Sequence, residues 1–288
     1  MIFPDHPTFG PGGNGELFAR EGHKSTAEAP AWLKSKGLDA YEYEAGRGIT
    51  AKPEVLSAIG EAARAEGILM SFHTPYFISL SGTDPEKRLK SIDYITKSLD
   101  AATLLGADTI VIHSGSAGKI SREEAMRLSC DTLEKLLESI GDKYADIRLG
   151  IETMGKINQL GTLDEVIGQC RVSPRFVPVV DFGHMNAREH GGLFPDSDSY
   201  RRVFDRIGTT LGDEVAEHLH CHFSKIEFSD GGEKCHLTFA DAVYGPEFEP
   251  LAEAIVKEGV SPRIISESAG TQVEDALAMK EMWLAARG

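Results

Sequence analysis

Short apolar segments alternate with stretches of helical periodicity along nearly the whole chain. The segments, four to six residues long, are MIFP (1–4), AYEYEA (40–45), ILMSFH (68–73), TIVIHS (109–114), RLGIET (148–153), FVPVVD (176–181), HLHCHF (218–223) and RIISES (263–268). Most are rich in β-branched or aromatic residues, which is typical of strands. Strands separated by helices favour a parallel sheet, because parallel neighbours need a long crossover connection.

Two of the helical stretches are especially clear. Apolar residues recur every three or four positions in 85–106, which begins with proline and ends at Gly106, a typical helix terminator. The stretch 121–141 has the same periodicity, and Ser121 and Glu124 have the spacing of a capping box at its start. Both stretches therefore predict helices between strands.

Eight strand–helix pairs in 288 residues predict an α/β fold, a (β/α)8 TIM barrel that forms one domain over residues 1–288. An open doubly wound sheet would usually carry a glycine-rich phosphate loop after its first strand. The glycine-rich segment FGPGGNGE (9–16) matches neither that fingerprint nor a Walker motif, and we interpret it as a loop. The barrel is therefore the favoured architecture.

The charge balance and the cysteines restrict the class of protein. The formal net charge of -15 argues against non-specific nucleic-acid binding, which depends on basic surfaces, although a local basic groove remains compatible with it. The sequence contains neither an apolar run long enough for a membrane helix nor a recognisable signal peptide. The four cysteines have no CxxC spacing. We therefore expect a cytoplasmic protein with reduced thiols and no membrane partner.

The predicted strands three to eight all carry an imidazole or a carboxylate at or near their carboxyl ends. These side chains are His73, His113, Glu152, Asp181 with His184, the histidines of HLHCHF (His218, His220 and His222) and Glu267. One such histidine is usually only a satisfied polar residue, but a buried carboxylate is costly unless it is paired or bound to a metal. Since strand ends of a barrel converge on one face, six successive endings predict a metal site. Nitrogen and oxygen ligands suit zinc, with manganese or iron as alternatives.

The order of these motifs resembles the endonuclease IV family, the metal-dependent apurinic/apyrimidinic endonucleases of the xylose isomerase-like barrel superfamily. HTPYFISL (73–80) is similar to that family's His-Ala-Pro-Tyr, IHSGS (112–116) to its His-Pro-Gly-Ser, IETMGK (151–156) to its Glu-Asn-Thr-Ala-Gly, DFGH (181–184) to its Asp-Thr-Cys-His, and SESAG (266–270) to its final Glu-Thr-Pro. The resemblance extends from about residue 68 to the end of the chain.

The resemblance implies a centre of two or three zinc ions, with manganese as an alternative metal. The first ion would bind His73, His113 and Glu152, a second would bind Glu152, Asp181, His222 and Glu267, and a third would bind His184 and His236. Glu152 would also be the catalytic residue, because it would bridge two ions and orient the attacking water. The implied reaction is hydrolysis of the DNA phosphodiester 5′ to an abasic site.

Two ligand assignments leave alternatives open. Alternate residues of a strand share a face, so the histidines of HLHCHF should point the same way. His222 is nearest the carboxyl end and is our choice of ligand, whereas His220 would be the ligand in a different register. In GGEKCH (231–236), Lys234 stands where the family has an aspartate ligand, and Glu233 is one position away. A third metal site is therefore an open question.

The loops near the site differ from the family at the N-terminal side. EYEAGRGIT replaces the family's usual Asn-Pro-Arg-like loop after strand two, and Arg47 is a candidate for the DNA contact made there. Tyr76 and Phe77 match the tyrosine and apolar neighbour that follow strand three. The resemblance implies that they bind substrate, DNA with a flipped abasic nucleotide, although packing within the loop explains them equally well.

Two other functions remain possible. A sugar isomerase or epimerase on the same barrel would bind one metal and use two glutamates as acid and base on a small sugar. It would not need imidazoles at the ends of strands three and four, so His73 and His113 favour the nuclease. A non-catalytic metal-binding scaffold is less consistent with this mixed ligand set, because closed structural sites usually consist of cysteine and histidine.

Overall fold

Eight parallel strands form a ring in the computed structural model, which describes residues 3–288. The barrel strands are β1 (Thr8–Pro11), β2 (Ala40–Glu44), β3 (Leu69–His73), β4 (Thr109–His113), β5 (Arg148–Glu152), β6 (Phe176–Asp181), β7 (His220–Phe223) and β10 (Arg263–Ser266). The ring closes between β1 and β2 through a parallel bridge of Gly12 with Glu42 and a 3.0 Å bond from the Asp39 amide to the Phe9 carbonyl. The predicted TIM barrel is confirmed.

The prediction of the first strand at 1–4 is wrong. Residues 1 and 2 lie outside the described residues, and positions 3 and 4 belong to no strand. The first strand is β1, which lies partly in the segment 9–16 that we interpreted as a loop. Gly10 allows this strand to approach β2, because a Cβ atom there would lie 1.9 Å from the carbonyl oxygen of Ala40.

Helices cover the outside of the ring. They are α1 (Gly15–Arg20), α2 (Ala29–Lys36), α3 (Pro53–Glu66), α4 (Pro85–Leu105), α5 (Arg122–Ile140), α6 (Leu163–Cys170), α7 (Phe182–Arg188), α8 (Ser197–Leu211), α9 (Asp213–Glu217), α10 (Glu249–Glu258) and α11 (Gln272–Arg287), with a 3-10 turn at Thr26–Glu28. A hairpin of β8 (Ile226–Ser229) and β9 (Gly232–His236) follows β7. No helix within residues 3–288 has the length and apolarity needed to cross a membrane.

The two clearest helix predictions are confirmed as α4 and α5. Gly106 ends α4 in the left-handed conformation, with φ of 68°. Ser121 caps α5 by accepting a 3.1 Å bond from the Glu124 amide. The predicted capping box is only half formed, because the Glu124 carboxylate binds Arg127 instead of returning to the Ser121 backbone.

Strand alternation separates an apolar outer layer from a polar interior. On β5, Leu149 and Ile151 pack into the core beneath the helices, so Glu152 points to the inside of the barrel. On β7, the same alternation turns His220 and His222 inward, where both are almost fully buried. The fold therefore brings the polar residues of several strands together at its axis.

Candidate metal centre

Glu152 lies at the middle of the carboxyl-terminal end of the barrel and is surrounded by four of the predicted ligands. Its Oε2 atom is 3.5 Å from His73 Nε2 and 3.4 Å from His113 Nε2. Its Oε1 atom is 3.1 Å from His222 Nδ1 and 3.5 Å from His184 Nδ1. The carboxylate is fully buried. These contacts join strands β3, β4, β5 and β7 and the helix that follows β6.

The spacing of these atoms suits a shared cation. Hydrogen bonds from nitrogen to oxygen are usually about 2.7–3.2 Å long. Two ligands of one tetrahedral ion, each about 2.1 Å from it, lie about 3.4 Å apart. Glu152 Oε2, at 3.4 and 3.5 Å from two imidazole nitrogens, has no hydrogen-bond partner although it is buried. The residues present therefore fit a metal ion at this position.

A second group of donors adjoins a first group that consists of His73, Glu152 and His222. Donor atoms of Glu152, Asp181, His222 and Glu267 all lie within 4.8 Å of one another. The Asp181 Oδ1 atom accepts a 2.7 Å bond from the His184 amide, whereas its buried Oδ2 atom has no hydrogen-bond partner. Burial raises the pKa of the Asp181 carboxyl to about 7, with the nearby His184 charge opposing that rise. A bound cation would replace the missing partner and favour the carboxylate form.

A third group consists of His184, Glu233 and His236, whose donor atoms also lie within 4.8 Å of one another. His184 Nδ1 lies 3.1 Å from the Thr153 carbonyl oxygen, and its Nε2 atom faces Glu233 Oε2 at 3.4 Å. His236 Nδ1 contacts the Ser224 hydroxyl at 2.8 Å. In both rings one nitrogen has a protein partner, which fixes the ring and leaves the other nitrogen for a ligand.

A β-bulge explains how Glu233 joins His236. Glu227 pairs with Cys235 and its neighbour Phe228 pairs with Glu233, so Lys234 is an extra residue of β9. Without the extra residue, side chains three positions apart would face opposite sides of the hairpin. The Lys234 ammonium forms an ion pair with Glu227. Glu233 therefore occupies the place that the resemblance assigned to an aspartate at position 234.

The three histidines of HLHCHF lie at different depths. His222 faces Glu152 and also Glu267, whose Oε2 atom is 3.5 Å from its Nδ1 atom. His220 lies deeper and contacts Glu42 at 2.9 Å. His218 precedes the strand and stacks on Phe3 with ring centroids 4.4 Å apart, so the prediction of a common face is wrong for this residue. Of the three, the structure places His222 among the predicted ligands.

Two acidic residues outside the predicted set of ligands also point into the barrel. Glu42 and Glu44 on β2 alternate with Tyr41 and Tyr43 in AYEYEA. Glu42 is fully buried beneath the three donor groups, whereas Glu44 lies near His73 at the mouth of the barrel. The alternation of glutamate with tyrosine was the available signal, because inward carboxylates on a barrel strand need cationic partners.

A cavity of about 330 Å³ opens above these groups. Its lining includes Tyr76, which is 56% exposed and is placed to contact a ligand. Phe77 is outside the lining and packs edge-on against Tyr94, with ring centroids 4.7 Å apart. Arg47 is exposed and also outside the lining. Lys156 is the one lysine or arginine lining the cavity among residues 3–288.

Electrostatics keep the central carboxylate ionised. Burial alone would raise the pKa of Glu152, but the neighbouring imidazoles of His184, His222 and His73 outweigh it and hold the pKa well below its usual range. Burial lowers the pKa of His113 to about 4, with Glu152 opposing that shift. An ionised carboxylate beside a neutral imidazole is a combination of donors suited to a divalent cation.

Comparison with known proteins places the chain in a family. A family model described as a xylose isomerase-like TIM barrel matches residues 30–285. An uncharacterized protein of Methanocaldococcus jannaschii is 28% identical over 248 residues, which are 86% of this chain and 88% of that protein. A probable endonuclease 4 of Acholeplasma laidlawii is 34% identical over 164 residues, which are 54% of this chain and 52% of the relative. The chain thus spans about half the length of that endonuclease.

Solved structures share the architecture. A D-tagatose 3-epimerase-like protein has a TM-score of 0.69 at 18% identity, covering 97% of this chain and 96% of that one. Endonuclease IV from Thermus thermophilus has a TM-score of 0.68 at 18% identity, covering 97% of this chain and 99% of that one. At such identities the likeness shows the fold alone. Because the family model matches most of the chain, this protein belongs to the xylose isomerase-like TIM barrel family.

Proposed function

We propose that the protein is a metal-dependent phosphodiesterase that resembles endonuclease IV and cleaves DNA 5′ to abasic sites. The observation that carries this proposal is the division of the donors into three adjacent groups: His73–Glu152–His222, Glu152–Asp181–His222–Glu267 and His184–Glu233–His236. A single ion would need only the second group. Several ions close together are typical of sites that act on phosphodiesters.

The side chains would have distinct tasks. Bound divalent ions would lower the pKa of a water molecule and stabilise charge on the phosphate. Glu152 directs its two oxygens to different histidines, so it would set the separation of neighbouring ions and orient the attacking water. Lys156 lines the cavity and would attract the phosphate. Tyr76 would contact the flipped abasic nucleotide at the mouth.

The comparisons support this proposal in part. A relative named as a probable endonuclease 4 aligns with about half of the chain. Each motif that resembles that family supplies a side chain to the three groups or to their immediate surroundings. Phe77, which we proposed as a substrate contact, packs on Tyr94 and would instead keep the Tyr76 loop in place.

A sugar isomerase or epimerase is the second candidate. The acidic character of the mouth favours it, because Glu44, Glu233 and Glu267 line the cavity and would repel a DNA backbone. The cavity of about 330 Å³ is also large enough for a small polar ligand. In this case Glu152 and Glu267 would act as acid and base beside one metal.

The decisive experiment is nicking of a duplex oligonucleotide that carries one abasic analogue. We expect cleavage 5′ to the lesion by the zinc-loaded protein, and loss of cleavage with chelator or in the variant Glu152→Gln. The variant retains the size of the side chain but removes the charge that would hold two ions. The proportion of bound metal is measured in parallel for each preparation.

Controls separate the two candidates. Glu138→Gln on the exposed side of α5 changes the same charge far from the cavity and should cleave normally. If a protein that carries its metals does not cleave, the nuclease proposal is wrong. Exchange of deuterium from solvent into a ketose by that same preparation would then establish the epimerase alternative.

A further inference from the structure

Three buried side chains meet beneath the three groups of candidate metal ligands. Glu42 comes from β2, and His220 and His222 come from β7 on another side of the barrel. Glu42 Oε2 lies 2.9 Å from His220 Nε2, and Glu42 Oε1 lies 2.9 Å from His222 Nε2. All three side chains are at most 1% exposed, and none lines the cavity. This cluster therefore has no direct access to a substrate.

His222 connects the cluster to the metal groups. Its Nδ1 atom faces Glu152 and Glu267, at 3.1 and 3.5 Å, while its Nε2 atom faces Glu42. The Nε2–Oε1 contact is off the ideal hydrogen-bond line, but neither atom has a hydrogen-bond partner elsewhere. A neutral imidazole carries one proton. A carboxylate at Nε2 keeps the proton there and leaves the Nδ1 lone pair free for a metal.

We propose that Glu42 is a positioning residue for the metal centre, which it serves by fixing the ring orientation and tautomer of His222. His220 donates to the other oxygen of Glu42 and holds that carboxylate in place, without binding metal itself. This inference rests on the metal centre of the proposed function and adds a residue that the strand-end pattern does not contain. It applies equally to the nuclease and the epimerase.

The competing explanation is an ion bound between Glu42, His220 and His222, because the donor atoms of these residues lie within 4.8 Å of one another. Both contacts of Glu42 measure 2.9 Å, however. That distance is typical of a hydrogen bond, and two ligands of one tetrahedral ion would lie about 3.4 Å apart. A proton therefore explains each contact better than a metal.

Metal affinity tests the proposal with zinc as the probe. Zinc stoichiometry and dissociation constants are measured by chelator competition for the wild type, Glu42→Gln, Glu42→Leu and His220→Gln. We expect one ion to bind about 100-fold more weakly in Glu42→Leu and about 10-fold more weakly in Glu42→Gln, whose amide oxygen still accepts a hydrogen bond. His220→Gln still donates to Glu42 and should stay within about threefold of the wild type.

The tautomer of His222 provides a readout that a purely structural role would not change. In zinc-loaded protein labelled with 15N-histidine, the His222 signals are identified by their loss in His222→Gln. We expect a protonated Nε2 and a metal-bound Nδ1 in the wild type, and mixed ring states in Glu42→Leu. Circular dichroism verifies folding, and Glu42→Gln preserves side-chain size if the leucine variant does not fold.

The outcomes are distinguishable. A wild type that binds no zinc would refute the metal centre, and with it this inference. A wild type that binds zinc, with unchanged affinity and tautomer in both Glu42 variants, would refute the role of Glu42 alone. Loss of one zinc equivalent in both Glu42→Leu and His220→Gln, with His222 Nδ1 still metal-bound, would show that the buried cluster holds an ion and would also overturn the proposal.

Discussion

Glu233 belongs to the third group of donors, although the family motif aligns Lys234, and not Glu233, with its aspartate ligand. We expect Glu233→Gln to lose one equivalent of bound zinc, because a neutral amide is a much poorer ligand than a carboxylate beside His184 and His236. Metal analysis after dialysis measures the stoichiometry. Lys234→Ala is the matched control, since the ammonium pairs with Glu227, and it should retain all of its zinc. Equal zinc contents in the two variants would contradict this assignment.

The difference between residues that the sequence reveals and those that it hides is physical. Glu152 and Asp181 could be selected because a carboxylate at the end of an apolar strand requires a partner. Glu42 shows only its alternation with tyrosine as a sequence signal, because its partners lie on β7 and depend on the register of the closed barrel. Glu233 depends on the bulge at Lys234, and a bulge of this kind leaves no clear periodic signal.

Elements were predictable wherever periodicity and capping agreed. The helix α4 begins and ends where its proline and its glycine indicate, and seven of the eight barrel strands lie within the predicted segments. The exception is β1, whose Gly10 and Pro11 are unfavourable in isolated strands. Its position is fixed by contacts with β2 and β10, which are distant in sequence.

Gly10 also determines how closely β1 packs against β2. We expect Gly10→Ala to reduce the free energy of unfolding by about 3 kcal/mol, since the added methyl group would collide with the Ala40 backbone and separate β1 from β2. Gly168→Ala is the control. It lies inside α6 against the flexible end of Met126, and it should be neutral or stabilising by roughly 0.5–1 kcal/mol. Urea unfolding of both variants measures the difference, and equal stabilities would contradict the closure argument.

The candidate metal site and a stabilising ion pair lie at opposite ends of the barrel. The candidate metal ligands lie at the carboxyl ends of the strands, whereas Arg263 at the start of β10 reaches Asp108, which precedes β4. Two bonds of 2.8 and 2.6 Å join the guanidinium to the carboxylate, and a third of 3.3 Å reaches the Met70 carbonyl at the start of β3. These contacts connect β10 to the starts of β3 and β4, two strands with which β10 does not pair directly.

This ion pair makes stability depend on pH. Burial opposes ionisation of Asp108, but Arg263 outweighs it and holds the pKa of the carboxyl below its usual range. The stabilisation is therefore fully present above the unfolded value of about 3.9 and decreases as the pH falls towards the folded value. We expect Asp108→Asn to cost about 3 kcal/mol at pH 7, because it leaves a buried guanidinium without its charged partner.

Unfolding in urea at pH 7 and pH 3, on metal-free protein, measures the effect. The difference between Asp108→Asn and the wild type should shrink by roughly 1 kcal/mol at pH 3, because the wild-type pair has by then lost part of its advantage. Asp93→Asn, which removes an exposed pair with Lys97, should change the free energy of unfolding by less than about 0.5 kcal/mol. An Asp108→Asn effect that is the same at both pH values would show that packing at this end of the barrel, and not the charge of Asp108, is what stabilises it.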